Sequence, residues 1–202
     1  MPLPPDATKL RSSNCRSIIG IKIAGALDLA LKHSLIHRDI NPGNILFDYD
    51  QEPKLVDFGL ARNVDVEQES SSVTEGTPYY VAPEKIKREA ETFLSDMYSL
   101  GATLYHALLG RVPFDAPTVE EVIMAQVQTP LTPPNEVLPE VSQATSDALG
   151  QALAKNPGER FLSYDEFIMS LTAARSELLV RQYSSPEETR QPKRMTGWWR
   201  RQ

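Results

Sequence analysis

The sequence has 202 residues, of which 41% are apolar and 24% charged, and its net charge is −6. This is the composition of a globular domain with enough apolar residues for a core, and it excludes a chain that is disordered throughout. The excess of acidic over basic residues, 27 against 21, argues against a surface that neutralises nucleic-acid phosphates. The one cysteine, Cys15, cannot close an intramolecular disulfide, and no Cys/His cluster has zinc-ligand spacing, so we expect a cytoplasmic protein.

The order of elements predicts a fold that is mainly α with a small β-hairpin. Apolar residues at helical spacing predict a buried helix from Ser17 to about His33. Two short apolar runs, 45–47 and 54–56, flank turn-forming residues and predict the hairpin. An acidic, Ser-rich stretch over 64–76 is interpreted as a mobile loop. Four further helices are predicted. The first covers 95–109, with Ser95-Asp96 as its cap and Gly110 as its end. The others begin at Thr118, cover 142–154, and begin at Ser163.

Charge and apolar content divide the chain into three parts. We expect a flexible segment over 1–14, a folded domain over 15–180, and a basic, Trp-containing tail over 181–202. The longest apolar candidate, residues 17–31, is interrupted by Lys22 and Asp28, so no transmembrane segment is expected. In the tail, Trp198-Trp199 lies among arginines; a solvated tail is the favoured interpretation, and contact with a membrane surface is the alternative.

Three short motifs carry the chemistry. His37-Arg38-Asp39 is followed by Asn44, then by Asp57-Phe58-Gly59 after the predicted hairpin, and then by Ala82-Pro83-Glu84. In this order the motifs resemble those of the protein kinase family, and their amino acids are most similar to those of bacterial serine/threonine kinases. The resemblance covers residues 15–175 and implies the C-terminal lobe of the kinase fold, with ATP and Mg²⁺ as cofactors and a protein Ser/Thr side chain as acceptor.

The resemblance implies a role for each matching residue. Asp39 would orient the substrate hydroxyl, Asn44 and Asp57 would hold Mg²⁺ through hard oxygen donors, and Leu46 would lie beneath the adenine. Thr77 would hydrogen-bond Asp39 and favour Ser/Thr substrates. Arg38 would bind a phosphorylated loop residue, for which the candidates are Ser70, Ser71, Ser72 and Thr74. Structural roles are expected for His37, Phe58, Gly59, Glu84, Asp96 and Arg160, with Glu84 and Arg160 paired and Asp96 anchoring the catalytic loop.

Two departures from the family pattern limit the functional expectation. The 202 residues contain no Gly-rich loop, no strand lysine for the α- and β-phosphates and no helix glutamate to pair with it. The simplest interpretation is a truncated kinase, with an N-lobe from another chain as the alternative. In addition, Asn41 stands where most serine/threonine kinases have a lysine at the γ-phosphate. The loss of one charge-assisted hydrogen bond costs about 1.5–3 kcal/mol, which weakens a kinase without abolishing it.

Three functions are therefore compared. A protein serine/threonine kinase is favoured by the intact Asp39, Asn44 and Asp57, whereas a pseudokinase or protein-interaction module is favoured by the absent N-lobe motifs. A small-molecule kinase is disfavoured by the segment 77–84, which in protein kinases shapes a peptide-binding surface. Leu46 and Phe58, which would face an N-lobe, should be exposed to water here, and we expect self-association through that surface.

Overall fold

The computed structural model describes residues 13–63 and 78–184. The predicted mobile loop, most of the N-terminal segment and nearly all of the basic tail lie outside the described residues. The helices are α1 Ser13–Lys32, α2 Pro83–Ile86, α3 Phe93–Leu109, α4 Val119–Gln128, α5 Pro134–Val137, α6 Gln143–Ala152 and α7 Tyr164–Ser184. The strands are β1 Leu35–Ile36, β2 Ile45–Phe47, β3 Pro53–Leu55 and β4 Arg62–Asn63, and three short 3₁₀ turns cover Pro42–Asn44, Pro78–Tyr80 and Pro157–Glu159.

Helix α3 is the centre of the fold. Most of its residues are buried on every side of the helix, which is the pattern of a core helix and not of an amphipathic surface helix. The predicted cap at Ser95-Asp96 is wrong, because the helix begins at Phe93 and Thr92 caps it. The Thr92 hydroxyl accepts the Leu94 N–H, and the Ser95 hydroxyl accepts the Thr92 N–H in return. Asp96 therefore lies inside the first turn, and α3 ends at Gly110 with a φ of 72°.

Helices α1, α6 and α7 pack around α3 and form the main core. Its fully buried side chains include Ile23 and Leu27 from α1, Leu100 from α3, Leu149 from α6 and Phe167 from α7. A second cluster, built on Tyr80, Tyr98, Tyr105 and Phe114, lies beneath the segment that leads into α2. The helical domain predicted from the apolar periodicity is thus confirmed.

Strands β2 and β3 form the predicted hairpin. They are antiparallel, with Ile45 opposite Leu55 and Phe47 opposite Pro53. The Asp48 carboxylate closes the turn by accepting the N–H groups of Asp50 and Glu52, at 3.0 and 2.9 Å. The sequence analysis missed a second antiparallel pair, β1 with β4. Two-residue strands are too short to show an alternating pattern.

Helices α4 and α7 begin at the predicted caps, and Ser142, the predicted first residue of a helix, caps α6, whereas the short helices α2 and α5 were not predicted. Thr118 accepts the Glu121 N–H, Ser142 the Thr145 N–H and Ser163 the Glu166 N–H. Helix α7 continues to Ser184, past the domain boundary expected at residue 180. None of the helices within the described residues is both long enough and apolar enough to cross a bilayer.

Glu84 and Arg160 form a buried ion pair that joins α2 to the loop before α7. The two guanidinium nitrogens of Arg160 donate to the two carboxylate oxygens of Glu84 at 2.7 and 2.8 Å. Arg160 also donates to the carbonyls of Ala154 and Leu94, and the Ser95 hydroxyl donates to Glu84. Burial raises the pKa of Glu84, but the hydrogen bonds and charge of Arg160 lower it by more. The pKa of Glu84 is therefore below its ordinary value of 4.5.

We expect Glu84→Gln to lower the free energy of unfolding at neutral pH by about 3–5 kcal/mol, because Arg160 then stays buried without its counter-charge. Since the pKa of Glu84 is lower in the folded state, its contribution is complete above pH 4.5 and is lost as the pH falls through the folded-state pKa. The difference between wild type and variant should therefore shrink on acidification. Urea unfolding at a series of pH values measures this difference.

Glu89→Gln is the matched control, because Glu89 is exposed and lies on the connection that follows α2. It should change the free energy of unfolding by less than about 0.5 kcal/mol at every pH. Equal acid sensitivity in Glu84→Gln and wild type would contradict the assignment.

Candidate active site

Asp96 anchors the loop that carries His37, Arg38 and Asp39. Its carboxylate, 2% exposed, accepts the backbone N–H of His37 and that of Arg38, both at 2.7 Å. Burial raises the pKa of Asp96 to about 7, and the two backbone N–H groups oppose this rise. The loop is thus attached to a helix that is buried in the core.

His37 connects this loop to the segment that precedes Asp57. In its buried ring, Nε2 lies 3.1 Å from the Val56 carbonyl oxygen and Nδ1 lies 3.4 Å from the Asp39 backbone nitrogen. A carbonyl needs a donor and an N–H needs an acceptor, so the ring is the neutral tautomer with its proton on Nε2. Burial lowers the pKa of His37, which agrees with a neutral ring. The Phe58 ring packs against it with centroids 4.6 Å apart.

Asp39 is held by two asparagines. The Asn44 amide nitrogen donates to the Asp39 carbonyl at 2.8 Å and to its carboxylate oxygen Oδ2 at 3.0 Å. The Asn41 amide nitrogen donates to the same carbonyl at 3.2 Å, while its oxygen caps the following 3₁₀ turn by accepting the Gly43 N–H. With both hydrogens of the Asn44 amide on Asp39, the amide oxygen is the end that remains for a cation.

The hairpin brings Asn44 and Asp57 to the same end of β2 and β3. The Val56 N–H donates to the Asn44 carbonyl at 2.9 Å, so Asn44 is joined to the residue directly before Asp57. Asp57 is exposed, has a φ of 63° and accepts the Gly59 N–H through Oδ1 at 3.1 Å. A Cβ atom at position 59 would lie 2.9 Å from that oxygen, so a larger residue would displace the carboxylate.

The donor set fits a magnesium ion. An amide oxygen and a carboxylate are hard ligands, and Mg²⁺ is typically bound by one or two such side chains together with phosphate oxygens and water. The described residues contain no cluster of three or more His, Cys, Asp or Glu side chains, which would instead indicate an all-protein metal cage. Two neighbouring loops, one bonded to α3 and the other to His37, thus carry the Asp39 carboxylate and the side-chain oxygens of Asn44 and Asp57.

The protein kinase domain model matches residues 6–170, more than half of the chain and both of these loops. The chain belongs to the protein kinase family. This family generally uses ATP and Mg²⁺ and acts on proteins. The mainly α architecture with its hairpin is accordingly the kinase C-lobe pattern that the motifs predicted.

Curated relatives agree with the bacterial serine/threonine type. A Clostridium perfringens protein named a probable serine/threonine-protein kinase is 34% identical over 158 residues, covering 76% of this chain and 22% of the relative. Serine/threonine-protein kinase PknK of Mycobacterium tuberculosis is 37% identical over 143 residues, covering 70% of this chain and 13% of PknK. The chain thus spans less than a quarter of the length of these two relatives.

The structure places the other predicted residues in different ways. Leu46 and Phe58 are 53% and 45% exposed, as expected for the surface that faces an N-lobe. Arg38 contacts the carboxylate of Glu91. Thr77 and the candidate phosphorylation sites Ser70, Ser71, Ser72 and Thr74 lie outside the described residues, so their roles stay predictions.

Sequence reasoning missed three contributions to this site. Lys85 and Glu91 lie in a polar stretch that reads as a solvated connection, yet both side chains are largely buried beside Arg38. No periodic signal marks them. The capping role of Asn41 was also missed, although its pattern, Asn-Pro-Gly, occurs again at Asn156, which caps the turn over Pro157–Glu159 in the same way.

This repetition allows a matched prediction. Asn41→Ala and Asn156→Ala should each lower the free energy of unfolding by about 1 kcal/mol, because each removes a cap. Only Asn41→Ala should also increase hydrogen exchange at the Gly43 and Asn44 amides, since Asn41 holds the turn beside Asp39. Urea unfolding and amide exchange measure the two effects. Equal exchange at these amides in both variants would show that Asn41 has no special role in holding the loop.

Proposed function

We propose that this chain provides the catalytic and metal-binding loops for ATP-dependent phosphorylation of protein Ser/Thr side chains. The observation that supports this most strongly is the bond from Asn44 to the Asp39 carboxylate, because it orients a base and a cation ligand with one amide group. The family membership supports the reaction class, and the relatives' names support Ser/Thr as the acceptor.

The residues of the two loops then share the tasks of the transfer. Asn44 binds one oxygen of the Asp39 carboxylate, Oδ2, and we assign the other oxygen to the hydroxyl of the substrate. Asp39 orients that hydroxyl and accepts its proton as the new bond to phosphorus forms. Asn44 and Asp57 would hold Mg²⁺, which neutralises phosphate charge when bound. Since this transfer depends mainly on positioning and charge, attachment of the loop to Asp96 contributes directly to the rate.

Phosphoryl transfer also needs groups that bind the ATP phosphates from the N-lobe side. The sequence contains neither a Gly-rich loop nor a Val-Ala-x-Lys strand. We therefore propose that this chain acts as part of a larger kinase domain whose N-lobe comes from adjoining polypeptide or from another chain. Asn41, in place of a lysine at the γ-phosphate, would reduce the rate of such a kinase.

A second candidate function is a protein-interaction module with impaired catalysis. One observation favours it: the capping role of Asn41, which commits this side chain to the loop itself. The two functions make opposite predictions once an N-lobe is supplied.

The test joins the chain to the N-lobe of PknK and measures transfer of γ-phosphate to peptides containing Ser or Thr. We expect transfer by this fusion, and a loss of at least about 100-fold in Asp39→Asn and in Asp57→Asn, because each removes a charge at the reacting groups. Asp50→Asn is the control, because Asp50 is an exposed carboxylate in the hairpin turn, and it should retain full activity.

Nucleotide binding to the same fusion separates the two functions. A fusion that binds Mg·ATP but transfers no phosphate would support the interaction module. Equal activity in Asp57→Asn and Asp50→Asn would overturn the assignment of the metal ligand.

The exposed hairpin surface gives a further prediction, which concerns association. Leu46, Phe47 and Phe58 are 53%, 38% and 45% exposed and lie near one another along the chain, so we propose that the isolated chain self-associates through them. Light scattering should show oligomers at micromolar concentration, and Leu46→Gln should reduce them. Leu162→Gln, at an exposed leucine outside the hairpin, should leave them unchanged. A monodisperse wild-type monomer would contradict the proposal.

A further inference from the structure

Arg38, expected from the family resemblance to bind a phosphorylated loop residue, already has an acidic partner within the described fold. Its Nε and Nη2 groups donate to the two carboxylate oxygens of Glu91 at 3.2 and 2.5 Å. This two-point contact is the geometry that a guanidinium makes with a phosphate or carboxylate. The Arg38 and Glu91 side chains are only 7% and 14% exposed, so the pair is shielded from water and salt.

Lys85 completes the cluster from α2. Its side chain is 6% exposed, its ammonium lies 3.8 Å from the Glu91 carboxylate, and it donates to the Arg38 carbonyl at 3.3 Å. Glu91 therefore faces two buried cations. Without its charge, Arg38 and Lys85 would repel each other in a medium that screens them poorly.

The cluster fixes Arg38 at its backbone and its side chain. Asp96 accepts the Arg38 N–H, Lys85 binds the carbonyl, and Glu91 binds the guanidinium. Arg38 has a φ of 71°, a left-handed conformation that an ordinary residue keeps only where its surroundings hold it. Asp39 is the next residue, so the cluster sets the direction in which the chain reaches the proposed base.

Within residues 13–63 and 78–184, the charges of this cluster balance without any phosphate. Arg38, Lys85, Glu91, Asp39 and Asp96 all line one small cavity of about 10 Å³. Glu91 and Asp39 alone offset the two cations, whatever the protonation of Asp96. A phosphate group could join this cluster only by displacing Glu91 or by adding negative charge to it.

We infer that Glu91 is a positioning residue, a built-in counter-ion that holds Arg38 and the catalytic loop in place without phosphorylation of the 64–77 loop. The inference depends on the proposed function only in the assignment of Asp39 as the orienting group. Arg38 then has its acidic partner, Glu91, within the described fold. Modification at Ser70, Ser71, Ser72 or Thr74 is not needed to order the residues around Asp39.

The test asks whether removal of the Glu91 charge creates a phosphate-binding site. Glu91→Gln keeps the shape of the side chain but leaves Arg38 and Lys85 uncompensated. We expect inorganic phosphate at tenfold its dissociation constant to raise the Tm of Glu91→Gln by about 3 °C relative to chloride at equal ionic strength. Wild type, Glu91→Asp, which restores the charge, and Glu89→Gln, the exposed neighbour, should show no such rise.

Two results would overturn the inference. One is a phosphate-dependent rise in wild type as large as that in Glu91→Gln and abolished by Arg38→Met, which would make Arg38 an open phosphate receptor. The other is a Glu91→Gln variant that is as stable as Glu89→Gln and whose Tm does not change with phosphate. If Glu91→Gln does not fold, the Arg38 Nε–H signal in wild-type ¹H–¹⁵N spectra decides. Slow exchange and no response to phosphate support the pair, whereas rapid exchange or a shift with phosphate overturns it.

No nucleotide and no phosphoryl transfer enter these measurements. A failure of the counter-ion role therefore leaves the kinase assignment standing, and an inactive fusion with the PknK N-lobe leaves the counter-ion role standing.

Discussion

The attachment of the catalytic loop to Asp96 is the contact on which the rest of the site depends. A carboxylate inside the central helix accepts the consecutive N–H groups of His37 and Arg38. From there, His37 reaches the strand that leads to Asp57, and Arg38 reaches Glu91 and leads to Asp39. Because Asp96 and His37 are buried, their hydrogen bonds fix the backbone next to Asp39 and Asp57, the residues proposed to react.

Two groups of buried charges support the site. In the first, Glu84 and Arg160 form a two-point ion pair closed by Ser95 and the Leu94 carbonyl. In the second, Glu91 joins Arg38 and Lys85. Each pair would be costly to break, because the remaining charge would lie buried and unpaired. Their arrangement ties α2 and the connection after it to the core, and it keeps the segment at Tyr80 next to the loop that carries Asp39.

The sequence predicted candidate site residues but few of the contacts around them. Asp39, Asn44 and Asp57 were predicted from the motif resemblance, and the hairpin, predicted from its turn residues, brings Asn44 and Asp57 to the same end of two strands. The start of α3 was misplaced because Ser95 and Thr92 are both good caps, and only the backbone conformation of Thr92 distinguishes them. Lys85 and Glu91 could not be found, because a polar residue that becomes buried through a distant partner has no local signature.

By itself, the sequence determined the family, the mainly α architecture with its hairpin, and the three residues proposed to act on phosphate and hydroxyl. The family and the three residues follow from the resemblance of short motifs, and the architecture follows from apolar periodicity over a few residues. Only the tertiary structure decided which charges meet, namely that Arg38 lies against Glu91 and that Lys85 lies beside them. Such pairings join residues as much as 53 positions apart, and their energies depend on burial that no short segment encodes.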